Sequence, residues 1–126
     1  METDGEALRW LDFAREDLAY GGFGLERFPR AAAWSFQQAG EKALKAGLVA
    51  KSIVPPRTHD LVLLLNLLDP NGSEELRTAV LQLAEISAAA RYPDDDAEPV
   101  DVTLARSYEA AAKTVVLHAA QQLAQK

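Results

Sequence analysis

Apolar residues recur along most of the chain at intervals of three and four residues, the spacing that places them on one face of an α-helix. The first such stripe contains Ala7, Leu11, Ala14 and Leu18, and glycines at positions 21, 22 and 24 end it. No segment shows the sustained alternation of β-branched residues that is typical of a strand. The pattern therefore predicts an all-α fold.

A second helix is predicted from Pro29 to about Ala50. Proline suits the first turn of a helix because its missing N–H would be unpaired there in any case. Gly40 and Gly47 stand among the less polar positions of this segment. Because small residues let a neighbouring helix approach closely, we expect this face to be a packing surface.

Polar residues mark the starts of three further helices. A Pro-Pro pair interrupts the pattern after the second helix, and Thr58 is then predicted to cap a third helix with His59 at its first position. Ser73 and Asp101 are predicted to cap the fourth and fifth helices. We expect residues 1–126 to form a single domain, an antiparallel bundle of about five helices.

The composition excludes several kinds of protein. The 126 residues include no cysteine, which rules out disulfides, thiolate metal sites and a thiol nucleophile. The N-terminal residues lack a basic flank followed by an apolar run, and the longest apolar run, residues 61–65, is too short to span a bilayer. We therefore expect a cytoplasmic protein with no membrane partner.

The net charge of -6 is unevenly distributed along the chain. Residues 27–59 contain six basic side chains and one acid, Glu41, for a net charge of +5, while the rest carries seven basic and eighteen acidic side chains, for -11. A positive segment of this kind attracts phosphate groups or an acidic partner. The alternative is a solvated helix face followed by a basic loop.

The sequence has two histidines, His59 and His118, and neither has a strong second metal ligand at the i+3 or i+4 position. We therefore expect no metal site and no cofactor. His118 is predicted to be a partly buried, hydrogen-bonded residue of the last helix. His59 follows Arg57 at a predicted helix start, where free backbone N–H groups favour anions, and the alternative is a helix start without a ligand. The sequence contains no phosphate loop and no nucleophile motif.

A polar strip, QQAGEKALK, interrupts the otherwise apolar second helix. Within it Glu41 and Lys45 are spaced i, i+4, and a surface ion pair contributing about 0.3–0.5 kcal/mol is sufficient to explain them. The alternative is that the strip lines a groove between helices.

Four blocks of the sequence, AREDLAYG, FQQAGEKALKAGLVAK, PPRTHDLVLLL and AARYPDD, resemble in this order a HEPN (higher eukaryotes and prokaryotes nucleotide-binding) domain. The two middle blocks are fairly specific when taken together. The resemblance covers the chain from about Asp12 to the last helix. It implies an antiparallel helical bundle, formation of homodimers, and pairing with a minimal nucleotidyltransferase, often as a toxin and antitoxin.

Together with the positive segment, the resemblance predicts a nucleotide or phosphate site beside the helical groove. Proximity of Glu41 to Arg91 is implied by the resemblance alone. The predicted site residues are Glu41, Lys42, Lys45, Arg57, His59, Asp60, Arg91 and Tyr92.

Ribonuclease members of the family carry an arginine that is followed, after four to six residues, by a histidine. Neither His59 nor His118 has an arginine at that distance before it, and the positions counted forward from Arg91 hold Asp96, Ala97 and Glu98. Acids at these positions repel an RNA phosphate. We therefore expect a binding module, non-catalytic or at most weakly catalytic, that dimerises and acts with a nucleotidyltransferase-like partner, a nucleotide or RNA.

Two alternatives to this function stay open. The first is an RNA-cleaving toxin that uses a rearranged set such as Arg57, His59 and Arg91. The second is a structural dimer without a ligand, in which an apolar face is buried between copies. The residues expected in such a face are Phe13, Tyr20 and Trp34.

Overall fold

Five α-helices make up the part of the chain that the computed structural model describes, residues 2–86 and 99–125. They are α1 (Glu2–Gly24), α2 (Pro29–Ala50), α3 (Leu61–Leu68), α4 (Glu74–Ala84) and α5 (Val102–Ala124). None of the described residues lies in a β-strand. The predicted all-α class and the predicted number of helices are confirmed.

α1 and α2 form an antiparallel pair. Trp10 near the start of α1 lies beside Lys45 near the end of α2, while Gly21 near the end of α1 packs on Phe36. α5 packs against both of these helices and against α4, while α3 and α4 contact each other and α2. The predicted bundle is confirmed.

α2 is the central helix of the bundle, because it contacts each of the other four. Fifteen of its 22 residues are buried as a result. Three of the buried residues are polar, namely Gln37, Glu41 and Lys45. Part of the polar strip therefore lies in the protein interior, because α2 is the central helix.

Glycines on α2 allow the neighbouring helices to lie close to it. A β-carbon at Gly40 would be 2.6 Å from Cδ1 of Leu83 on α4, and one at Gly47 would be 2.9 Å from Cδ2 of Leu68 on α3. Both distances are shorter than the roughly 3.5–4.0 Å of favourable carbon contacts. The predicted packing surface is confirmed, and it brings α3 and α4 against the helix that carries the polar strip.

Side chains cap the last three helices. Ser73 and Asp101 accept hydrogen bonds from the backbone N–H groups three residues later, as predicted for the starts of α4 and α5. The predicted cap of α3 is wrong. Asp60, not Thr58, is the N-cap, because its carboxylate accepts the N–H of Leu63 at 3.1 Å, while the Thr58 hydroxyl accepts the N–H of Asp60. His59 therefore precedes the helix instead of beginning it.

Within residues 2–86 and 99–125, no helix combines the length and the apolar character that crossing a bilayer requires. The same ranges contain no group of three metal-ligating side chains placed to hold an ion.

Candidate functional site

Glu41 is a buried carboxylate whose two oxygens bind different side chains. Its side chain is 6% exposed. Oε2 accepts a hydrogen bond from Lys45 Nζ at 3.0 Å, and Oε1 lies 2.9 Å from His59 Nδ1. Because an ionised carboxylate can only accept, Nδ1 of His59 carries a proton and donates a hydrogen bond to Glu41. The pair of contacts connects α2 to the segment that precedes α3.

One ring nitrogen of His59 contacts Glu41, while most of the ring is exposed to solvent. Its side chain is 76% exposed, although Nδ1 contacts the buried carboxylate. With Nδ1 protonated, Nε2 of the neutral ring carries the lone pair, so this nitrogen accepts a proton or a hydrogen bond. A protonated ring would donate from Nε2 instead. The orientation comes from Glu41 and not from the start of α3, which corrects the sequence interpretation of this histidine.

Lys45 is a buried lysine, which overturns the interpretation of its pair with Glu41 as a surface ion pair. Its side chain is 10% exposed. The ammonium group also lies 5.6 Å from the centre of the Trp10 ring on α1, within the range of a cation–π contact. Because both partners are buried, removing one of them would leave the other charge unpaired in the interior and would lower the stability of the fold more than the loss of a surface pair.

Lys42 forms a second pair on the same helix. Its Nζ lies 2.5 Å from Asp17 Oδ2 on α1, with the two side chains 24% and 27% exposed. The same ammonium group lies 5.9 Å from the centre of the Phe13 ring. Lys42 and Lys45 thus repeat one arrangement, in which a lysine of α2 contacts an aromatic ring of α1 and a carboxylate.

The remaining predicted site residues are placed differently. Arg57 is exposed two residues before His59 and makes no ion pair with a residue that the structure describes. Asp60 is exposed and occupied as the N-cap of α3. Arg91 and Tyr92 lie outside the described residues. The structure therefore brings Lys45 and His59 into contact with the same carboxylate, that of Glu41.

The other end of the polar strip fixes the end of α4. The amide of Gln37 donates to the backbone oxygens of Leu83 and Ile86, at 3.2 Å in the first case. Gln37 lies one helical turn before Glu41 on α2. Nε2 of Gln38 is buried and has no hydrogen-bond partner among the residues that the structure describes. Gln37 of the strip thus makes an internal polar contact between α2 and the end of α4.

His118 lies in a different part of the molecule. It is half-buried on α5, with Nε2 3.5 Å from the hydroxyl of Ser73. It lines a cavity of about 150 Å³ together with residues near the ends of α2 and α3, among them Lys51 and Leu68. His118 therefore offers a natural control for experiments on His59.

Sequence reasoning missed Asp17, Trp10 and Phe13 as neighbours of the two lysines. Asp17 is 25 residues from Lys42, and only the pairing of α1 with α2 brings them together. A signal for the aromatic residues was present, because Phe13 is a large apolar side chain outside the buried stripe of α1, and it is 60% exposed.

The chain matches the family model described as HEPN domain over residues 6–122. Among solved structures it is similar to TT1696 from Thermus thermophilus, with a TM-score of 0.82, 26% identity, and 92% of this chain and 97% of that chain covered. It is also similar in fold to ST0689, an archaeal HEPN homologue, with a TM-score of 0.78, 22% identity, and coverage of 93% and 97%. No curated protein matches this chain. Since the family model spans nearly the whole bundle, from α1 to α5, this protein belongs to the HEPN domain family.

Proposed function

We propose that this protein is a HEPN binding module that forms a homodimer, binds the phosphate of a nucleotide beside α3, and acts with a minimal nucleotidyltransferase partner. The observation that supports the site is the contact of His59 Nδ1 with the buried Glu41, which leaves Nε2 on an exposed ring, two residues after the exposed Arg57. Glu41 and Lys45 are positioning residues in this proposal. Arg91 and Tyr92 join the site as part of the same proposal.

The charges of the described residues set the expected affinity. Lys42 and Lys45 are each paired with a carboxylate, so Arg57 and a protonated His59 supply the available positive charge. Hydrogen bonds to charged groups contribute about 1.5–3 kcal/mol each. Two such bonds give about 3–6 kcal/mol, which corresponds to a dissociation constant between about 6 mM and about 40 μM. The affinity increases if Arg91 contributes a third bond.

His59 can contact a phosphate group through Nε2, because Glu41 occupies Nδ1. In the neutral ring Nε2 presents a lone pair, which cannot donate to a phosphate oxygen, whereas in the protonated ring both nitrogens donate. The proposed phosphate contact therefore uses the protonated ring.

Calorimetric titration with ATP and GTP tests the phosphate site. We expect heat of binding with the wild-type protein and a loss of affinity of at least about tenfold in His59→Ala and in Arg57→Ala. His118→Ala is the matched control and should bind as the wild type does. An absence of heat at millimolar nucleotide, or equal losses in both histidine variants, would contradict the site.

RNA cleavage is a second candidate function, because the contact with Glu41 also suits His59 to act as a base. The Nε2 lone pair of the neutral ring can accept the proton of a ribose 2′-hydroxyl. Digestion of single-stranded RNA by the wild type, reduced on the order of a hundredfold in His59→Ala but unchanged in His118→Ala, would support cleavage. Intact RNA after incubation with the wild type would contradict cleavage and leave binding as the proposed function.

The homodimer is proposed to form through an apolar surface at the junction of α1 and α2. Tyr20, Phe23 and Phe28 are 73%, 95% and 61% exposed, respectively. Exposed aromatic residues in this number favour contact with a second copy. Phe23→Glu should produce monomers in sedimentation without unfolding the bundle, and a wild type that is itself monomeric would overturn the proposal.

A further inference from the structure

A groove on the outer surface of α1 lies next to the Trp10–Lys45 contact. It has a volume of about 270 Å³ and is lined by Glu6, Arg9, Trp10 and Phe13. This volume is just below the roughly 300–1,000 Å³ of sites for drug-sized ligands, so it suits a fragment such as one nucleobase.

The two aromatic residues of the groove form a stacking surface. Trp10 and Phe13 are spaced i, i+3, so their rings project from neighbouring turns of α1. Lys45 and Lys42 lie 5.6 and 5.9 Å from the two ring centres and fix the rings against α2. Phe13 remains 60% exposed. Bases stack on such rings because every base presents a π-face.

The two charged residues of the groove favour one base. Glu6 and Arg9 form no ion pair with each other or with another described residue, so both are available to a ligand. An arginine donates to O6 and N7 of guanine, and a carboxylate accepts from N–H groups. Guanine offers two adjacent donors, N1–H and the exocyclic amino group, beside those acceptors, whereas uracil offers a single N–H between two carbonyl groups.

We propose that this groove binds the guanine base of a nucleotide, by stacking on Trp10 and Phe13 and by hydrogen bonds to Arg9 and Glu6. This inference rests on the proposed function, since it adds a base site to the phosphate site. The two sites are linked by successive contacts from Trp10 to Lys45, from Lys45 to Glu41 and from Glu41 to His59. In this proposal the base lies on α1 and the phosphate lies at His59.

Fluorescence of Trp10 measures occupation of the groove directly. In a Trp34→Phe variant Trp10 is the remaining tryptophan, and guanosine 5′-monophosphate should quench it at concentrations at least about tenfold lower than uridine 5′-monophosphate. Phe13→Ala should weaken both nucleotides about tenfold. Glu6→Gln should remove the preference for guanine, whereas Glu16→Gln, an acid of α1 outside the groove, should retain it. Calorimetry on the wild type gives the same comparison without the Trp34 substitution.

Two further ligands separate the base site from the phosphate site. Guanosine, which has no phosphate, should quench Trp10, and ribose 5-phosphate, which has no base, should bind in calorimetry without quenching. Binding of ribose 5-phosphate with no response to guanosine overturns the guanine site and leaves the phosphate site standing. A response to guanosine with no binding of ribose 5-phosphate leaves the guanine site and overturns the phosphate site.

Two more measurements test which molecule supplies the guanine and whether a second copy of the protein occupies the groove instead. A single-stranded RNA hexamer with one guanosine that binds at least about tenfold tighter than the mononucleotide would identify an RNA strand as the ligand. A hexamer that binds with the same affinity as the mononucleotide would identify the free nucleotide as the ligand. Dimerisation that is abolished by Phe13→Ala, with no response to guanosine, would show that a second copy occupies the groove and would overturn the inference.

Discussion

Replacing Glu41 with alanine removes the carboxylate that both Lys45 and His59 contact. The ammonium group of Lys45, on a side chain that is 10% exposed, would then be buried without its counter-ion, with the Trp10 ring as its remaining described contact. Removing one partner of a buried ion pair costs about 3–5 kcal/mol. Because the long lysine side chain can move its charge toward water, we expect a loss near the lower limit, about 3 kcal/mol.

A double substitution shows whether this cost comes from the unpaired charge. Glu41→Leu combined with Lys45→Met removes both charges and replaces them with apolar side chains of similar size. Such replacements are often nearly neutral, so the double variant should lie within about 1 kcal/mol of the wild type. Urea unfolding monitored by circular dichroism gives the free energy of unfolding of each variant. Equal slopes of this free energy against urea concentration confirm that the unfolded states are comparable.

Lys42→Met is the matched control for this cycle. Its partner Asp17 keeps 27% exposure, so water can solvate the remaining carboxylate, and the expected loss is about 1 kcal/mol or less. A Glu41→Ala variant that loses less than about 1 kcal/mol would refute the reasoning. A double variant as unstable as Glu41→Ala alone would also refute it, because the cost could not then come from the unpaired charge of Lys45.

Further substitutions test the packing and the caps by thermal and urea unfolding. Gly40→Ala should lose about 1–2 kcal/mol, because its β-carbon would lie 2.6 Å from the fully buried Leu83, whereas Gly24→Ala, with no atom within 4 Å, should not be destabilising. Asp101→Ala should lose about 1 kcal/mol through the lost cap of α5. Glu26→Gln should change stability by less than about 0.5 kcal/mol, since its carboxylate is 78% exposed and screened by water.

The helices were largely predictable because local chemistry sets their limits. Pro29 begins α2, and Ser73 and Asp101 cap α4 and α5, as the sequence predicts, since each suits a single position at a helix start. The start of α3 was less determined, because Thr58 and Asp60 both carry an oxygen that can cap. The Asp60 carboxylate takes the N–H of Leu63, and the hydroxyl of Thr58 takes the N–H of Asp60 instead.

The contacts of the site were less predictable than its residue types. Glu41 and Lys45 looked like a surface pair because their spacing is the same on any helix, and only the central place of α2 buries them. The contact of His59 with Glu41 joins residues 18 apart, across a loop whose path depends on the prolines and on the packing of α3. The resemblance to the family placed the two blocks in one region, but it did not specify which atoms meet.

Nuclear magnetic resonance of the labelled protein during a nucleotide titration tests the proposed site most directly. The contact of His59 with Glu41 predicts a protonated Nδ1 in the free protein, seen in the imidazole nitrogen shifts. Added nucleotide should then shift the Nε2 resonance of His59 and the backbone amides of residues 57–61. Shifts confined to the His118 cavity, or a neutral His59 ring protonated at Nε2, would contradict the site.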